Sequence, residues 1–365
     1  MIPYGRQSIN EADLDAVVEV LKSDWLTQGP TIERFEHAVA EYVGAEFAVA
    51  FSSGTAALHG AAWAGGLGPG DVAYTSPLTF MATPNAARYV GATPGLVDIS
   101  LDTWNIDLSQ LPAEADAVFP VHYAGLPVNL SEPGWAKRPR LVVEDAAHAL
   151  GAHTPDGPVG NCAHSDMTCF SFHPVKPITT GEGGMVTTNN AELAERLRRF
   201  RSHGIVRMPE KGGWNYEISE LGYHYRMTDI QAALGLSQLR RLDEFITRRG
   251  EIACFYRSEL AGLDINLPPE APAGFTHGYH LFPVRVPNRS RVFDALLSAG
   301  IRTQVHYVPV HHHPLSTDVV APRPGLSNCE LVYEGLLSLP LFPDLSDTQL
   351  LTVVKALYEF IEARY

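Results

Sequence analysis

Short apolar runs recur along the first half of the chain and alternate with helical or irregular stretches. These runs occupy residues 47–51, 72–74, 94–97, 117–119, 141–143, 167–170 and 185–187. Such runs are typical of buried strands, and their alternation with helices is typical of a parallel sheet with crossover connections. The first half of the chain is therefore predicted to form an α/β domain around a mostly parallel sheet.

A helical pattern precedes the first of these runs. Its apolar positions follow the spacing of one helix face and are Leu14, Val17, Val18 and Leu21. Asn10 stands just before them, and Asp13, three residues later, completes a first-turn capping arrangement. The segment is predicted to be an amphipathic surface helix that begins after Asn10.

The second half of the chain opens with a long helical pattern. Between Thr228 and about Leu260 an apolar stripe includes Ile230, Ala233, Leu234, Leu236 and Leu239. We predict one continuous helix there, which bridges two domains. Proline-rich turns at 267–272, a strand at 279–283, a helix at 290–299 and a terminal helix at 347–364 predict a smaller carboxy-terminal domain. The predicted domains are 1–245 and 246–365.

Composition and charge narrow the class of protein. With 365 residues and 45% hydrophobic content, the chain can bury a large core and form two domains. A net charge of -14 argues against broad binding of nucleic acid or of an anionic membrane surface. The sequence lacks a signal-like start and a bilayer-length apolar segment, and its four cysteines have no regular spacing. We expect a soluble cytoplasmic protein without a nucleic-acid or membrane partner.

Lys176 and Asp145 are the strongest candidates for chemistry. Lys176 lies in the segment 171–184, Ser-Phe-His-Pro-Val-Lys-Pro-Ile-Thr-Thr-Gly-Glu-Gly-Gly, and Asp145 ends an apolar run where α/β sheets place their ligands. A lone lysine is usually solvated, and a lone aspartate after a strand usually caps a helix. Together they predict pyridoxal 5′-phosphate (PLP), bound as an aldimine to Lys176, with Asp145 at the pyridine nitrogen.

A candidate phosphate site follows the first predicted strand. Gly54 and Thr55 open a helical run of small residues, so unpaired backbone N–H groups, a close approach at the glycine and a hydroxyl meet there. Ser171, five residues before Lys176, is positioned to donate to the same phosphate. The alternative is an ordinary capped turn between a strand and a helix.

Phe80 and His148 complete the predicted cofactor site. Phe80 is predicted to stack on the pyridine ring, although a lone phenylalanine is just as often a core residue. His148 follows Asp145 by three residues and is predicted to orient Asp145 or to lie near the ring. Its alternative role is a structural hydrogen bond.

Histidines are concentrated in the segment 304–314, Gln-Val-His-Tyr-Val-Pro-Val-His-His-His-Pro, which raises the question of a metal. Consecutive histidines in an extended segment point in alternating directions, and no second ligand cluster has the expected spacing. A polar loop that contacts substrate explains the composition as well. We therefore predict no metal site.

The motifs together resemble the DegT-type sugar aminotransferases, PLP enzymes of the fold-type-I aspartate aminotransferase superfamily. Besides the Lys176 segment, the resemblance is carried by residues 26–30, 53–57, 120–127, 144–149, 225–231, 303–307 and 337–341. It covers nearly the whole chain. It implies a large PLP-binding domain with a mixed, mostly parallel sheet, a smaller carboxy-terminal α/β domain, and a homodimer with active sites at its interface.

The resemblance also implies a substrate. The segment 172–184 is most similar to family members that aminate C4 of a UDP-linked 4-keto-6-deoxy-N-acetylhexosamine on the route to pseudaminic acid, with L-glutamate as donor and pyridoxamine phosphate as the intermediate cofactor form. The implied sugar-nucleotide contacts are Tyr4, Trp25, Leu26, Thr27, Ser53, Ser171, Gln304, Val305, His306 and Tyr307. Amination at C3, a dTDP-linked sugar and a non-catalytic PLP-fold binding protein stay open as alternatives.

His224 departs from the family pattern, which usually has asparagine at this position. In relatives that asparagine reaches the cofactor phosphate from the neighbouring subunit. Imidazole also donates one hydrogen bond, but it is larger and titratable. We expect His224 at the phosphate and Arg226 at a substrate phosphate, both across the subunit interface.

Overall fold

The computed structural model describes residues 1–320 and 325–362. In chain order the strands are β1 Phe47–Phe51, β2 Val72–Thr75, β3 Thr93–Leu96, β4 Ala117–Phe119, β5 Leu141–Asp145, β6 His153–Thr154, β7 Gly157–Pro158, β8 Met167–Ser171, β9 Gly184–Thr188, β10 Ile205–Arg207, β11 Tyr216–Ile218, β12 Phe282–Arg285 and β13 Leu336–Leu339. The α-helices are α1 Glu11–Leu21, α2 Pro30–Val43, α3 Gly54–Ala64, α4 Ala82–Tyr89, α5 Ala191–Phe200, α6 Asp229–Leu239, α7 Leu242–Leu260, α8 Arg289–Ser298, α9 Ser327–Gly335 and α10 Asp347–Glu362.

The main sheet is mixed but mostly parallel. It has 7 strands in the order β1-β9-β8-β5-β4-β2-β3. The pairs formed among β2, β3, β4, β5 and β8 are parallel, whereas β9 runs antiparallel to both of its neighbours, β1 and β8. Each apolar run predicted as a strand overlaps one of these strands, so the predicted α/β domain is confirmed.

Helices cover both faces of this sheet. On one face, α3 and α5 supply Ala61 and Leu197 to a core that includes Val143 of β5. On the other face, α2 and α6 supply Phe35 and Ala232. Because both faces are covered, the strands bury nearly every side chain, which explains why the sequence shows continuous apolar runs instead of alternation.

A separate hydrophobic cluster forms around α7, α8, α10 and the antiparallel pair β12–β13. The amino terminus is built into it, since the N–H of Ile2 donates to the carbonyl of Gly300 at 2.8 Å and Ile2 forms a bridge with Ile301. The N–H of Leu341 donates to the carbonyl of Tyr4 at 3.0 Å. The backbone of Tyr4 is thereby held against the segment that follows β13.

The long helix predicted from Thr228 is interrupted, which corrects the expectation of one continuous helix. Helix α6 ends at Leu239 and α7 begins at Leu242. Arg241, at the break, pairs through Nη2 with the buried carboxylate of Asp13 at 2.5 Å. This tertiary ion pair anchors the break, and no glycine or proline at the break announces it in the sequence.

The domain division predicted after residue 245 falls inside α7. Phe245 packs in the cluster against the main sheet, whereas Ile252, two turns later, packs in the carboxy-terminal cluster. Helix α7 therefore contributes to both cores.

The remaining elements differ from their predictions by small shifts. The strand predicted at 279–283 is β12, which begins three residues later, and the helix predicted at 290–299 is α8, which begins one residue earlier. Helix α10 ends at Glu362, so the last two residues of the predicted terminal helix lie outside the described residues. Within the described ranges, no helix combines the length and apolarity needed to cross a membrane.

Helix α1 begins as predicted. Asn10 and Asp13 form a reciprocal capping box, with N–H to side-chain oxygen distances of 3.1 and 3.0 Å. The apolar face of α1 is exposed, because Leu14 is 51% and Leu21 is 53% accessible. The helix thus presents an apolar face to solvent in the single chain.

Candidate cofactor and substrate site

A cavity of about 310 Å³ opens at the carboxyl ends of β5 and β8. Eleven of the predicted site residues line it: Tyr4, Ser53, Gly54, Thr55, Phe80, Asp145, His148, Ser171, Lys176, His306 and Tyr307. A larger depression of about 850 Å³ lies between α8 and the end of α10 and is lined by none of them. The smaller cavity is the candidate site because the residues predicted to carry the chemistry line it.

Lys176 is held in a turn after β8. Its N–H donates to the carbonyl of His173 at 2.9 Å, and the N–H of Thr180 donates back to Phe172 at 3.0 Å. Burial in the cavity wall lowers the pKa of Lys176 to about 8, against an opposing effect of Asp145. About a tenth of its amine is therefore neutral at pH 7, far more than for a lysine in water, and a base or a nucleophile requires the neutral form.

Asp145 is buried at the end of β5 with both carboxylate oxygens bonded. Oδ2 accepts from the hydroxyl of Thr83 at 2.7 Å, and Oδ1 accepts from the N–H of Ala147 at 3.1 Å. The backbone of Asp145 is fixed as well, because its N–H donates to Pro120 at 2.9 Å. The carboxylate therefore has one defined orientation, toward the cavity.

His148 does not orient Asp145, which corrects the first of the two roles predicted for it. Its Nε2 is 3.0 Å from the hydroxyl of Tyr307, and its ring centroid is 4.5 Å from that of His280. Burial lowers its pKa well below the usual value, and the charge of Lys176 acts in the same direction. The Nδ1 of this neutral imidazole is buried without a partner among the described residues.

The amino end of α3 approaches the Lys176 segment closely. Ser53 caps the helix by accepting from the N–H of Ala56 at 3.1 Å. A Cβ added at Gly54 would lie 2.8 Å from the Cβ of Ser171. Only glycine permits this approach, which gathers helix N–H groups and two hydroxyls, from Ser171 and Thr55, at one place.

Phe80 is not a core residue, so that alternative is wrong. It is 60% accessible and stands at the cavity wall, with its ring centroid 5.9 Å from that of Tyr307. An exposed phenylalanine at the wall of the cavity leaves an apolar face available for a flat ring.

The substrate contacts implied by the resemblance fall into two groups. Tyr4, Ser53, Ser171, His306 and Tyr307 line the cavity. The imidazole of His306 is bonded to Ser338 at 3.0 Å and lies 5.2 Å from the ring of Tyr4, while burial lowers its pKa to about 3.

The second group lies outside the cavity of the same chain: Trp25, Leu26, Thr27, Arg226, Gln304 and Val305. His224, which was predicted at the cofactor phosphate, also lies outside it. Trp25 and Leu26 are exposed, and His224 pairs with Ser202 through a backbone bridge. Arg226 has a buried Nε without a partner among the described residues. The cavity of a single chain is therefore lined by none of these residues.

Several residues of the cavity were not predicted from the sequence. They are Leu58, Thr79, Ala82, Val121, Ala147, Cys169, Phe170, His173, Val175, Glu182 and His280. Thr83, which holds Asp145, was not predicted either. Thr79 and Thr83 are four residues apart in the sequence, and this spacing is the one signal that links these two threonines. The spacing has meaning only once Asp145 is known to lie opposite.

The histidine-rich segment contains a short turn, Val310–His312, and one of the reasons for excluding a metal, that consecutive histidines point in alternating directions, was wrong. His311 and His312 do not diverge, because both Nε2 atoms meet Oε1 of Glu330, at 2.5 and 2.8 Å. These three side chains are grouped closely enough to surround an ion. Two ligands of one zinc ion would however stand about 3.3 Å apart.

The observed separations are those of direct hydrogen bonds. We interpret His311, His312 and Glu330 as a clip between the 304–314 segment and α9. The expectation of no metal stays a prediction.

The site fits PLP in its chemistry. The glycine cradle at Gly54 accommodates a phosphate, the buried carboxylate of Asp145 suits a pyridinium nitrogen, and Lys176 has a lowered pKa. The unpartnered imidazole nitrogen of His148 offers a further polar contact. The fold and this set of groups define a PLP-dependent enzyme of the aminotransferase class.

Comparison with known proteins identifies the family. The sequence profile of the DegT/DnrJ/EryC1/StrS aminotransferase family matches residues 7–358, so the chain belongs to this family of PLP-dependent sugar aminotransferases. It is 38% identical over 380 residues to the spore coat polysaccharide biosynthesis protein SpsC of Bacillus subtilis, covering 99% of this chain and 97% of the relative.

A second relative is named for a transaminase activity. The chain is 36% identical over 376 residues to the UDP-4-amino-4,6-dideoxy-N-acetyl-beta-L-altrosamine transaminase of Campylobacter jejuni, covering 99% and 98% of the two chains. Among solved structures, the putative sugar aminotransferase Spr1654 of Streptococcus pneumoniae matches with a TM-score of 0.90 and 28% identity, covering 99% of both chains. That protein is known in PLP and pyridoxamine phosphate forms.

Proposed function

We propose that the protein transfers the amino group of L-glutamate to C4 of a UDP-linked 4-keto-6-deoxy-N-acetylhexosamine, in a pathway of the pseudaminic acid type in the cytoplasm. The observation that carries the proposal is the convergence of Lys176, Asp145 and the Gly54 cradle on one cavity. The similarity to the altrosamine transaminase, which extends over nearly the full length of both chains, supports the choice of sugar.

Different residues of the cavity have different roles in the proposed reaction. PLP, when bound, supplies the electron sink that lets a bond at the donor Cα be broken. Asp145 keeps the pyridine nitrogen protonated through its fixed carboxylate. Lys176 Nζ accepts the proton from the donor Cα and later delivers a proton to the sugar carbon, so the face that Lys176 reaches sets the configuration of the new amine.

We further propose that the enzyme acts as a homodimer. Lys176 is the one lysine or arginine among the described residues that line the cavity, so this chain meets the phosphate of PLP with N–H and hydroxyl groups alone. Arg226 and His224 lie at the base of the hairpin formed by β10 and β11 and are free of the cavity of their own chain. A second copy would supply them across the interface.

Exposed apolar side chains support the dimer. Leu14 and Leu21 of α1, together with Trp25, give an apolar surface at one end of the large domain. In the hairpin region Trp214 is 80% and Leu221 is 74% accessible. Large exposed apolar side chains of this kind mark interaction surfaces. A second copy bound there would bury them.

The test of the substrate follows the visible absorbance of the purified holoenzyme. L-glutamate should bleach the cofactor band, and UDP-4-keto-6-deoxy-N-acetylhexosamine should restore it, with Lys176→Ala as the control that responds to neither. If glutamate bleaches the band but only a 3-keto or a dTDP-linked sugar restores it, the choice of sugar is wrong and the transaminase stands. A band that no amino donor bleaches would favour the non-catalytic alternative.

A further inference from the structure

The carboxylate of Asp145 is one end of a chain of side-chain hydrogen bonds. Its Oδ2 is 2.7 Å from the hydroxyl oxygen of Thr83, which is in turn 2.8 Å from the hydroxyl oxygen of Thr79. All three side chains are buried, with accessibilities of 5%, 2% and 3%. Water therefore has little access to these bonds, and their directions are set by the protein.

The direction of each proton can be assigned. Thr83 has a single hydroxyl proton, and its candidate acceptors are Asp145 at 2.7 Å, Thr79 at 2.8 Å and the carbonyl of Phe80 at 3.3 Å. An ionised carboxylate accepts only and is the strongest acceptor of the three. Thr83 therefore donates to Asp145, and Thr79 must donate to Thr83.

This order has two consequences for the cavity. Thr79 lines the cavity, but its proton is directed away from it, toward Thr83. Asp145 receives one donor at each oxygen, from Thr83 and from the N–H of Ala147. One lone pair on each oxygen then stays available to a group in the cavity.

Local structure explains how Thr83 reaches the carboxylate and how Thr79 reaches Thr83. Thr83 lies in the first turn of α4, where its N–H donates to the carbonyl of Phe80 at 3.2 Å. Thr79 immediately precedes Phe80 in the loop that leads into α4. One short segment thus places the ring of Phe80 at the cavity wall and the hydroxyl of Thr83 against Asp145.

We propose that Thr83 is a positioning residue for the cofactor, which fixes the rotamer of Asp145 so that its carboxylate faces the ring nitrogen, and that Thr79 reinforces it by fixing the hydroxyl of Thr83. The proposal rests on the proposed role of Asp145 at the pyridine nitrogen. A hydrogen bond to a charged group contributes about 1.5–3 kcal/mol, so a carboxylate that turns away from the ring nitrogen would lower the basicity of that nitrogen about 10- to 100-fold.

The experiment uses holoenzyme reconstituted with PLP labelled with ¹⁵N in the ring. The ¹⁵N chemical shift, followed against pH, reports the protonation of that nitrogen directly and needs no sugar substrate. Thr83→Val keeps the shape but removes the donor, whereas Thr83→Ser keeps the donor. We expect the ring nitrogen of the valine variant to lose its proton about 1 to 2 pH units below that of the wild type, the serine variant to match the wild type, and Thr79→Val to show a smaller shift.

Three outcomes separate the claims. A valine variant that titrates like the wild type would overturn the role of Thr83, while loss of the ring proton in Asp145→Ala would show that the role of Asp145 survives. A serine variant that behaves like valine would also overturn it, since methyl packing and not the hydroxyl would then be responsible. If the ring nitrogen of the wild type has no proton at neutral pH, the proposed role of Asp145 at that nitrogen is wrong. Failure of the keto sugar to react bears only on the proposed substrate.

Discussion

Two regions of the molecule differ in how far one chain completes them. One is the cavity wall that carries Lys176 and Asp145, and the other is the surface that carries Trp25 and Arg226. In the wall, Asp145 has a donor at each oxygen, and the close approach of Gly54 to Ser171 is already made. On the surface, Trp25 is 54% accessible and the buried Nε of Arg226 has no partner among the described residues. The fold of a single chain determines the first region, and the proposed homodimer would complete the second.

The largest expected effect comes from removing the lysine from the completed wall. Lys176→Ala should lower transamination by at least about 10³-fold, because general acid–base catalysis by one group contributes 10²–10⁴-fold and the covalent attachment is lost as well. Single-turnover rates with L-glutamate measure the loss.

The control for this variant is Lys176→Arg, which keeps a positive charge but not a base. It should be as inactive as alanine. Residual activity near the wild-type level in either variant would remove Lys176 from the reaction and leave the completed wall without its central group.

The next effect tests whether the two regions belong to different subunits of one site. Arg226→Gln and Lys176→Ala should each be strongly impaired alone, because each homodimer lacks one group at every site. Dissociating, mixing and reassociating the two variants should restore activity, since mixed dimers contain one site with both native residues. Activity of the mixture is the measurement.

Two controls accompany the mixing experiment. Arg226→Gln protein that is dissociated and reassociated alone should gain no activity. Sedimentation should show dimers for both variants. A mixture that stays inactive while mixed dimers form would place Arg226 and Lys176 at the same subunit's site or remove Arg226 from the site.

A smaller effect is expected within the wall, at the cradle. Gly54→Ala should weaken PLP binding about 10- to 100-fold, because overpacking costs about 1–3 kcal/mol and the added Cβ would meet Ser171 at 2.8 Å. Titration of the apoprotein with PLP measures the affinity.

Gly68→Ala is the matched control, since a Cβ there meets nothing within 4 Å. It should leave the affinity unchanged. Equal affinities for the Gly54 and Gly68 variants would show that the phosphate lies elsewhere.

The same comparison separates what the sequence could predict from what it could not. The strands were predictable because burial on both faces produces continuous apolar runs, and Lys176, Asp145 and Gly54 were predictable because each is tied to a local motif at a strand end. The break between α6 and α7 was not, because it depends on the distant partner Asp13 of Arg241. Thr83 and His280 reach the cavity only through tertiary packing.

The resemblance to a family placed Arg226 across a subunit interface but did not separate Trp25 and Gln304 from the residues that line the cavity. Tyr4 and His306 line the cavity of their own chain, whereas Trp25, Gln304 and Arg226 do not. A motif records that a residue matters but not which subunit's site it serves, since that depends on how two folded chains meet.

The lowered pKa of Lys176 gives a further and milder test of the wall. A pKa of about 8 makes the neutral fraction of the amine about tenfold larger at pH 9 than at pH 7. Capture of PLP by the apoprotein requires the neutral amine, so its rate should rise about tenfold over this range and level off above it. A rate that keeps rising toward pH 10.5, the usual lysine value, would contradict the burial of Lys176 as its cause.

The smallest effect is expected at the clip formed by His311, His312 and Glu330. This clip joins the 304–314 segment to α9 at the surface. Hydrogen bonds from His311 and His312 lower the pKa of Glu330 against the opposing effect of burial. A carboxylate with a lowered pKa stabilises the fold above its usual pKa, and this contribution is lost as the pH falls through the lowered value.

The side chain of Glu330 is 46% accessible, so solvent screens the pair and Glu330→Gln should cost no more than about 1 kcal/mol at pH 7. Denaturant unfolding at pH 7 and below pH 4 should show that the difference between wild type and variant shrinks in acid. Glu334→Gln, on the same helix, is the control for a general loss of charge. A difference that grows in acid would mean that the clip is not held by an ionised carboxylate.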